Sequence, residues 1–198
     1  MTRLAVHRVE GILDATRGLV LENGVRSATV DAIAQRSGAP VGSLYHRFGS
    51  RDRLLAEMWI RAVRRSQANF VAAAQHKNPK QAAVDAALSL LHFVQEHPDD
   101  ARLLVSFRRE DLIRVARSAH LVRELEELNR PLELVLRQLA SRLFGKANAR
   151  TIERTMFAVI DIPLGAIRRH LIAGRDLPGI VAELVEAAVR GVLRPRAV

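Results

Sequence analysis

The stretch TVDAIAQRSGAPVGSLYHRF, Thr29–Phe48, contains two short helix signals with a sharp corner between them. Thr29 is a favourable N-cap, because its hydroxyl can accept a hydrogen bond from a free backbone N–H of the first turn. Gly38 lies where a helix would end in a left-handed residue, a conformation that glycine adopts without steric cost. The stretch therefore predicts two helices of about two turns each, over residues 30–37 and 41–48.

Two helices that cross steeply through a short turn need a small residue at their contact, and Ala34 fits that position. Leu44 then closes the core from the second helix. The spacing of Ala34, Gly38 and Leu44 resembles the DNA-binding helix-turn-helix. The sequence GSLYHRFGSRDRLL, residues 42–55, strengthens this resemblance. From about Ile12 to Met58 the chain closely resembles the TetR family of bacterial transcriptional regulators.

This resemblance implies an all-α fold with two domains. Residues 1–50 would form a three-helix DNA-binding domain with the helix-turn-helix, and residues 51–198 a larger helical domain for effector binding and dimerisation. The apolar periodicity predicts about nine helices, with no strand and no internal repeat. The first helix, about residues 4–22, has an apolar stripe that would pack on the helix-turn-helix, and Arg17 is predicted on its polar face.

The composition of the 198 residues is that of a globular protein, with 48% hydrophobic residues and no cysteine. Disulfides and thiol catalysis are therefore excluded. The formal net charge of +10 fits a polyanion partner, although a generally basic composition is an equal alternative. The N-terminus lacks an apolar signal core, and no run approaches the ~20 apolar residues of a membrane helix. We therefore expect a cytoplasmic protein without a membrane partner.

Catalytic signatures are missing from the sequence. It contains no phosphate-binding loop, dinucleotide-binding glycine motif, zinc-peptidase motif or nucleophile elbow. The seven histidines are scattered, and they do not show the spacing of metal ligands. The sequence thus predicts a protein that is not an enzyme and needs neither a metal nor a cofactor.

The second helix of the corner would present its outer residues to the major groove, which is ~12 Å wide and admits one α-helix. Arg47 can bind guanine O6 and N7 through two hydrogen bonds, worth about 1–3 kcal/mol of discrimination. Tyr45 follows Leu44 directly and so points away from the inner face. In the TetR family the phosphate and base contacts fall at matching positions. The predicted DNA-contacting residues are Thr29, Val41, Gly42, Ser43, Tyr45, His46, Arg47 and Arg51.

Two positions depart from the family pattern. Pro40 stands where the family commonly has a serine or threonine cap, and Val41 replaces a frequent lysine or polar residue. One direct contact is therefore lost or becomes apolar, and the base preference does not follow from the sequence.

The last two predicted helices are the candidates for a dimer seam, because the corresponding helices form a four-helix bundle between subunits of the TetR family. Their small residues would allow close helix approach. A stripe inside the protomer's own core is the open alternative. The predicted interface residues are Thr155, Val159, Ile162 and Ala166 on the first helix, and Ile180, Leu184, Ala187, Ala188 and Gly191 on the second.

The helices between about residues 58 and 170 should enclose an apolar space, which the family uses for a small hydrophobic or amphipathic inducer. Pro131 and Pro163 predict kinks or breaks in two long helices, and the freed carbonyls could bind a ligand or water. Each lining residue has a role in the plain core as its alternative. The predicted lining residues are Trp59, Phe93, Leu104, Phe107, Leu128 and Phe157.

Together these features predict a ligand-responsive transcriptional regulator, more readily a repressor than an activator, that binds a near-palindromic operator as a homodimer. An unidentified small molecule would tilt the fourth helix and change the separation of the two recognition helices. Two alternatives stay open. One is a DNA-binding protein without an inducer, and the other is a helical carrier or enzyme with a non-functional head.

Overall fold

A computed structural model describes residues 3–115 and 118–194, and no β-strand occurs within these ranges. The all-α class is therefore confirmed. None of the described helices combines the length and apolar character needed to cross a bilayer. The α-helices are α1 (Arg3–Asn23), α2 (Val30–Ser37), α3 (Val41–Phe48), α4 (Arg51–Ala73), α5 (Pro79–Glu96), α6 (Pro98–Ser106), α7 (Arg109–Val115), α8 (Ala119–Glu127), α9 (Arg130–Phe144), α10 (Ala149–Met156), α11 (Ile162–Ile172) and α12 (Ile180–Leu193).

The chain forms two compact units, each made of two stretches of sequence. The first unit is Met1–Val63 with Asp99–Leu128, and the second is Arg64–Pro98 with Asn129–Val198. Helix α4 contributes residues to both units. The predicted boundary after residue 50 separates functional domains. The compact units divide the chain at other residues, so this boundary stays a prediction.

The first unit has one apolar core, which joins α1–α4 to α6 and α8. Ile33 and Leu44 belong to it from the helix-turn-helix, and Leu103 and Leu125 belong to it from α6 and α8. Burying such a side chain contributes about 1.5–3 kcal/mol. The segment 99–128 is therefore packed into the same core as the two corner helices.

The second unit is built around α5, which packs against α9, α11, α12 and a π-helical turn at Phe157–Asp161. Asn78 caps α5 by accepting from the backbone N–H groups of Lys80 and Gln81 at 2.9 and 3.2 Å. Four buried alanines allow neighbouring helices to approach α5 closely. They are Ala82, Ala83, Ala86 and Ala87.

Both prolines interrupt the long predicted helices. Pro131 lies in the first turn of α9, after a break at residues 128–129. Proline is tolerated there, because the backbone N–H groups of the first turn have no acceptor within the helix and the N–H that proline lacks is therefore not needed. Pro163 lies in the first turn of α11 and follows the π-helical turn. The predicted interruptions are confirmed, one as a break and the other as a change of helix type.

Candidate nucleic-acid interface

The corner between α2 and α3 has the geometry that its sequence predicts. The Thr29 hydroxyl accepts a hydrogen bond from the Ala32 backbone N–H at 3.2 Å. Gly38 closes α2 in the left-handed conformation, with φ of 67° and ψ of 10°. At this φ a side chain would be strained, so the corner depends on a glycine. Pro40 occupies the N-cap position of α3 and offers no side-chain cap.

Helix α3 has one face packed against the core and one face exposed to solvent. Leu44 is 2% exposed and fixes the inner face, whereas the adjacent Tyr45 is 52% exposed. The remaining outward residues are accessible to different degrees. Val41, Gly42, His46 and Arg47 are exposed, and Ser43 is half-buried.

Gly42 is not required by the packing of this protomer. A Cβ atom added there would meet no protein atom within 4 Å. Gly42 is the second residue of α3, and replacing a glycine by alanine where the backbone conformation fits stabilises a protein by about 0.4–1 kcal/mol. The absence of a side chain at this exposed position therefore has no explanation in the protomer's own packing.

Arg51 has intramolecular partners that the sequence analysis did not predict. Its Nε donates to the Ala28 carbonyl at 2.7 Å, and its Nη2 donates to the Val25 carbonyl. The side chain thus fastens the short 3-10 turn Val25–Ser27 to the start of α4. A phosphate contact at Arg51 stays a prediction, and it would fall to the remaining guanidinium N–H groups.

A second arginine joins α1 to α2 on the surface. Arg36 binds Glu22 through two hydrogen bonds of 2.5 and 2.6 Å. The hydrogen bond from Arg36 lowers the pKa of Glu22, and the same pair raises the pKa of Arg36. Gly18 leaves room for this contact, because a Cβ there would lie 2.7 Å from Arg36 Nη2.

Arg17, predicted on the polar face of α1, is surrounded by carboxylates there but is largely shielded from solvent. Its side chain is 16% exposed and its Nη1 donates to the buried carboxylate of Asp100 in α6. The pairing was not visible in the sequence, because the partners are 83 positions apart and no local pattern links them.

The predicted pocket residues lie in both units. Trp59, Phe107 and Leu128 are buried in the core of the first unit, and Leu104 packs against it. The Trp59 indole N–H donates to the Phe107 carbonyl at 3.0 Å. The other two residues belong to the second unit, where Phe93 is buried and Phe157 is half exposed. Phe157 lines an open groove with Arg154 and Val192, so its predicted place in an enclosed space is wrong.

The predicted dimer seam needs a correction on its first helix. Thr155 and Val159 are fully buried within the protomer, and the Thr155 hydroxyl donates to the Thr151 carbonyl at 2.8 Å. Neither side chain is available to a second chain. Their stripe instead faces the protomer's own core, because α5 packs against this stretch.

Other members of the predicted seam are accessible. Ile180 and Leu184 are each 57% exposed. Ala187 and Gly191 are exposed, whereas Ile162, Ala166 and Ala188 are half-buried. Leu164, which was not among the predicted interface residues, is also exposed, at 44%.

Comparison with known proteins identifies the N-terminal segment. Residues 12–58 match the sequence model described as "Bacterial regulatory proteins, tetR family". Among proteins with curated descriptions, none matches this chain.

Three solved structures illustrate the likeness in fold. The TetR-family transcriptional regulator PfmR from Thermus thermophilus is 20% identical with a TM-score of 0.70, over 94% of this chain and 98% of that chain. A TetR-like transcriptional regulator from Rhodococcus sp. RHA1 is 20% identical with a TM-score of 0.66, over 95% and 97%. FadR from Bacillus subtilis, solved in complex with stearoyl-CoA, is 11% identical with a TM-score of 0.68, over 93% and 97%.

The helix-turn-helix geometry, the matching segment and the shared fold lead to one assignment. Residues 12–58 have the sequence of the bacterial regulatory proteins of the tetR family, and the fold of the chain is that of the TetR-family transcriptional regulators with which it was compared.

Proposed function

We propose that this chain is a transcriptional repressor that binds a near-palindromic operator as a homodimer and is released by a small apolar or amphipathic ligand. The observation that supports DNA binding best is the contrast on α3 between the buried Leu44 and the half-exposed Tyr45. No cofactor or catalytic step is needed for this function. We infer a cytoplasmic location, where bacterial DNA is found.

The outer face of α3 suits a major groove. Arg47 is exposed and has no ion-pair partner among the described residues, so its guanidinium is available for a guanine edge. The Tyr45 phenol and the Ser43 hydroxyl can donate to phosphate oxygens, which sets the register on the duplex. Gly42 lets the backbone approach the DNA, which accounts for a glycine that the fold does not require.

Dimerisation would supply the affinity and the operator symmetry. A single helix-turn-helix reads one half-site, and dimers read two half-sites about one helical turn or a multiple apart. In the second unit, α11 and α12 border a groove with an apolar rim, which includes Ala166, Leu184 and Val185. A second copy would cover this rim together with Ile180, and Thr155 and Val159 would have no part in the contact.

The ligand part of the proposal is supported by the fold comparison and by the composition of the first unit. FadR, which shares this fold, binds stearoyl-CoA in its solved complex. In this chain Trp59, Phe107 and Leu128 provide large apolar surfaces in the unit that contains the helix-turn-helix. A ligand that binds between them would favour a second arrangement of the unit and so reduce DNA affinity.

A regulator without an inducer is the second candidate. It is favoured by the close packing of Trp59, whose indole N–H is already satisfied by the Phe107 carbonyl at 3.0 Å. In that case the described core would stay closed, and no small molecule would change the DNA affinity.

The proposed function is tested first with DNA. Duplexes are selected from a random-sequence library and from the DNA upstream of the gene, and their affinities are measured by mobility shift. We expect the selected duplex to contain two related half-sites. The variant with Arg47→Ala and Tyr45→Phe should bind it at least about tenfold more weakly, since one lost base contact is worth about 1–3 kcal/mol.

Arg137→Ala is the matched control, because it removes an exposed arginine from α9 in the other unit. It should bind the selected duplex like the wild type. Equal losses in both variants would mean that only general charge matters, and wild-type affinity in the double variant would reject α3 as the reading helix.

A further inference from the structure

The second compact unit has a groove on its surface that is rich in arginine. The groove is bordered by α10, the π-helical turn and the last turn of α12, and its volume is about 640 Å³. This volume is within the range of small-molecule sites, roughly 300–1,000 Å³. All of its lining residues belong to the second unit, so the groove is a feature of that unit alone.

The groove has an excess of positive charge. Arg150, Arg154 and Arg194 line it, and Glu153 is the carboxylate among the described lining residues. Within residues 3–115 and 118–194, no carboxylate forms an ion pair with any of these three arginines. Three guanidinium groups without a counter-ion repel one another, and a bound anion relieves that repulsion.

Arg154 is already fixed in the position that an anion site requires. Its Nε donates to the Val192 carbonyl at 2.7 Å, and its Nη2 donates to the Arg194 carbonyl. The guanidinium carbon lies 5.2 Å from the centroid of the Phe144 ring. Its Nη1 makes no hydrogen bond to a described residue. A guanidinium that is held in this way loses little conformational freedom when it binds an oxyanion.

The groove also has an apolar side. Phe157 lines it and is 50% exposed, although most phenylalanines in folded proteins are buried. Gly191 leaves the α12 backbone open, because a Cβ atom added there would meet no atom within 4 Å. An aromatic ring in the groove can therefore pack on Phe157 in an offset or edge-to-face arrangement.

We propose that this groove binds a small phosphate monoester that carries an aromatic group. The phosphate has a charge of about −1.5 to −2 at pH 7, which matches three arginines and one glutamate, and arginine binds phosphate oxygens through paired N–H groups. The aromatic group lies against Phe157. The inference goes beyond the proposed function and is independent of it, because the proposed DNA contacts and inducer site lie outside this groove.

A second copy of the chain fits this groove less well than it fits the apolar groove between α11 and α12. The two grooves share no lining residue. A protein surface placed over three unpaired arginines would bury charges without partners, which is costly. A small anion is therefore the occupant that the charges favour.

Titration calorimetry on the full chain tests the inference with phenyl phosphate, inorganic phosphate and phenol. We expect phenyl phosphate to bind with a dissociation constant of about 1 mM or lower. Inorganic phosphate should bind roughly five- to tenfold more weakly, since it lacks the ring contact, and phenol should not bind measurably. Equal affinities for the two phosphates, or no binding of phenyl phosphate, would overturn the inference.

Arg150→Gln tests the role of charge, because Arg150 is exposed and its side chain makes no hydrogen bond within the described residues. This variant should bind both phosphates about tenfold more weakly, since one charged hydrogen bond is lost. Arg137→Gln is the matched control, because it removes an exposed arginine of α9 that does not line the groove. Equal losses in the two variants would show a general charge effect and reject the site.

Phe157→Ala tests the apolar side. It should lower the affinity for phenyl phosphate to that for inorganic phosphate and leave the latter unchanged, a result that a folding defect would not give. Sedimentation of the same variant examines the other occupant. A weaker dimer with an unchanged preference for phenyl phosphate would assign Phe157 to a second copy and overturn the inference.

Gly191→Leu serves if Phe157→Ala does not fold. It keeps every charge and adds a side chain in open space, so it should fill the apolar side and weaken phenyl phosphate at least about fivefold, with a smaller effect on inorganic phosphate. Wild-type binding of both phosphates in this variant would contradict the proposed position of the ring.

Discussion

The corner of α2 and α3 and the pair of helices α11 and α12 differ in how closely the sequence specified them. At the corner, Thr29, Gly38 and Leu44 each have one local task, and the structure shows each of them in that task. In α10 and the π-helical turn that precede α11, Thr155 and Val159 have the spacing of an apolar stripe, yet both side chains are buried in the protomer. Helix caps and left-handed glycines specify how two consecutive helices are oriented. An apolar stripe specifies only that the stripe is covered, and not whether the protomer's own core or a second subunit covers it.

The largest expected effect comes from creating a cavity in the core of each unit by mutation and comparing the losses of DNA binding and of dimerisation. Leu44→Ala and Leu139→Ala each truncate a buried leucine, at 2% and 1% exposure, and such changes cost about 2–5 kcal/mol. Leu44→Ala should abolish DNA binding but leave the dimer intact, and Leu139→Ala should weaken the dimer first. DNA affinity, sedimentation and amide hydrogen exchange would separate the two. Loss of both properties in both variants would show that the two units unfold together.

The next largest effect tests which exposed helix face forms the dimer interface, since the apolar spacing in the sequence did not decide it. Leu184→Asp and Leu134→Asp change leucines of similar exposure, 57% and 54%, on α12 and α9. Only Leu184 lies on the proposed dimer face, where a buried unpaired carboxylate is costly. We expect Leu184→Asp to raise the dimer dissociation constant at least about 100-fold and Leu134→Asp to leave it unchanged, as measured by analytical ultracentrifugation. The opposite result would move the interface to α9.

The smallest expected effect sharpens the assignment at the corner. Gly42→Ala adds a methyl group to the first turn of α3 in open space, so it should stabilise the protein by about 0.4–1 kcal/mol through the lower entropy of the unfolded chain. If the backbone at Gly42 approaches DNA, the same methyl should lower the operator affinity several-fold. Thermal unfolding and mobility shift check the two signs separately. A more stable variant with unchanged affinity would remove Gly42 from the interface.

Net charge was a weaker guide than turn chemistry. Most of the positive excess of the sequence belongs to the second compact unit and not to the one with the helix-turn-helix. Several arginines of the first unit are balanced by carboxylates, as Arg17, Arg36, Arg53 and Arg61 show. The overall charge therefore does not locate the proposed DNA face, whereas the exposure of Tyr45 and Arg47 does.

The sequence also predicted breaks that local chemistry enforces, as at Pro131 and Pro163. It did not predict the partners of Arg17, Arg51 or Trp59, which are 83, up to 26 and 48 positions away. Neither periodicity nor composition indicates which polar side chains will meet across such separations, because packing of the whole chain brings them together.

The sequence by itself determined the all-helical class, the corner from Thr29 to Phe48 and the outward direction of Tyr45. These depend on hydrogen bonds, backbone angles and side-chain alternation within a few residues. The tertiary structure decided that segment 99–128 shares a core with the helix-turn-helix, and that Thr155 and Val159 face inward. Burial and long-range ion pairing depend on every element that competes for the same apolar face, and that competition is settled only when the whole chain packs.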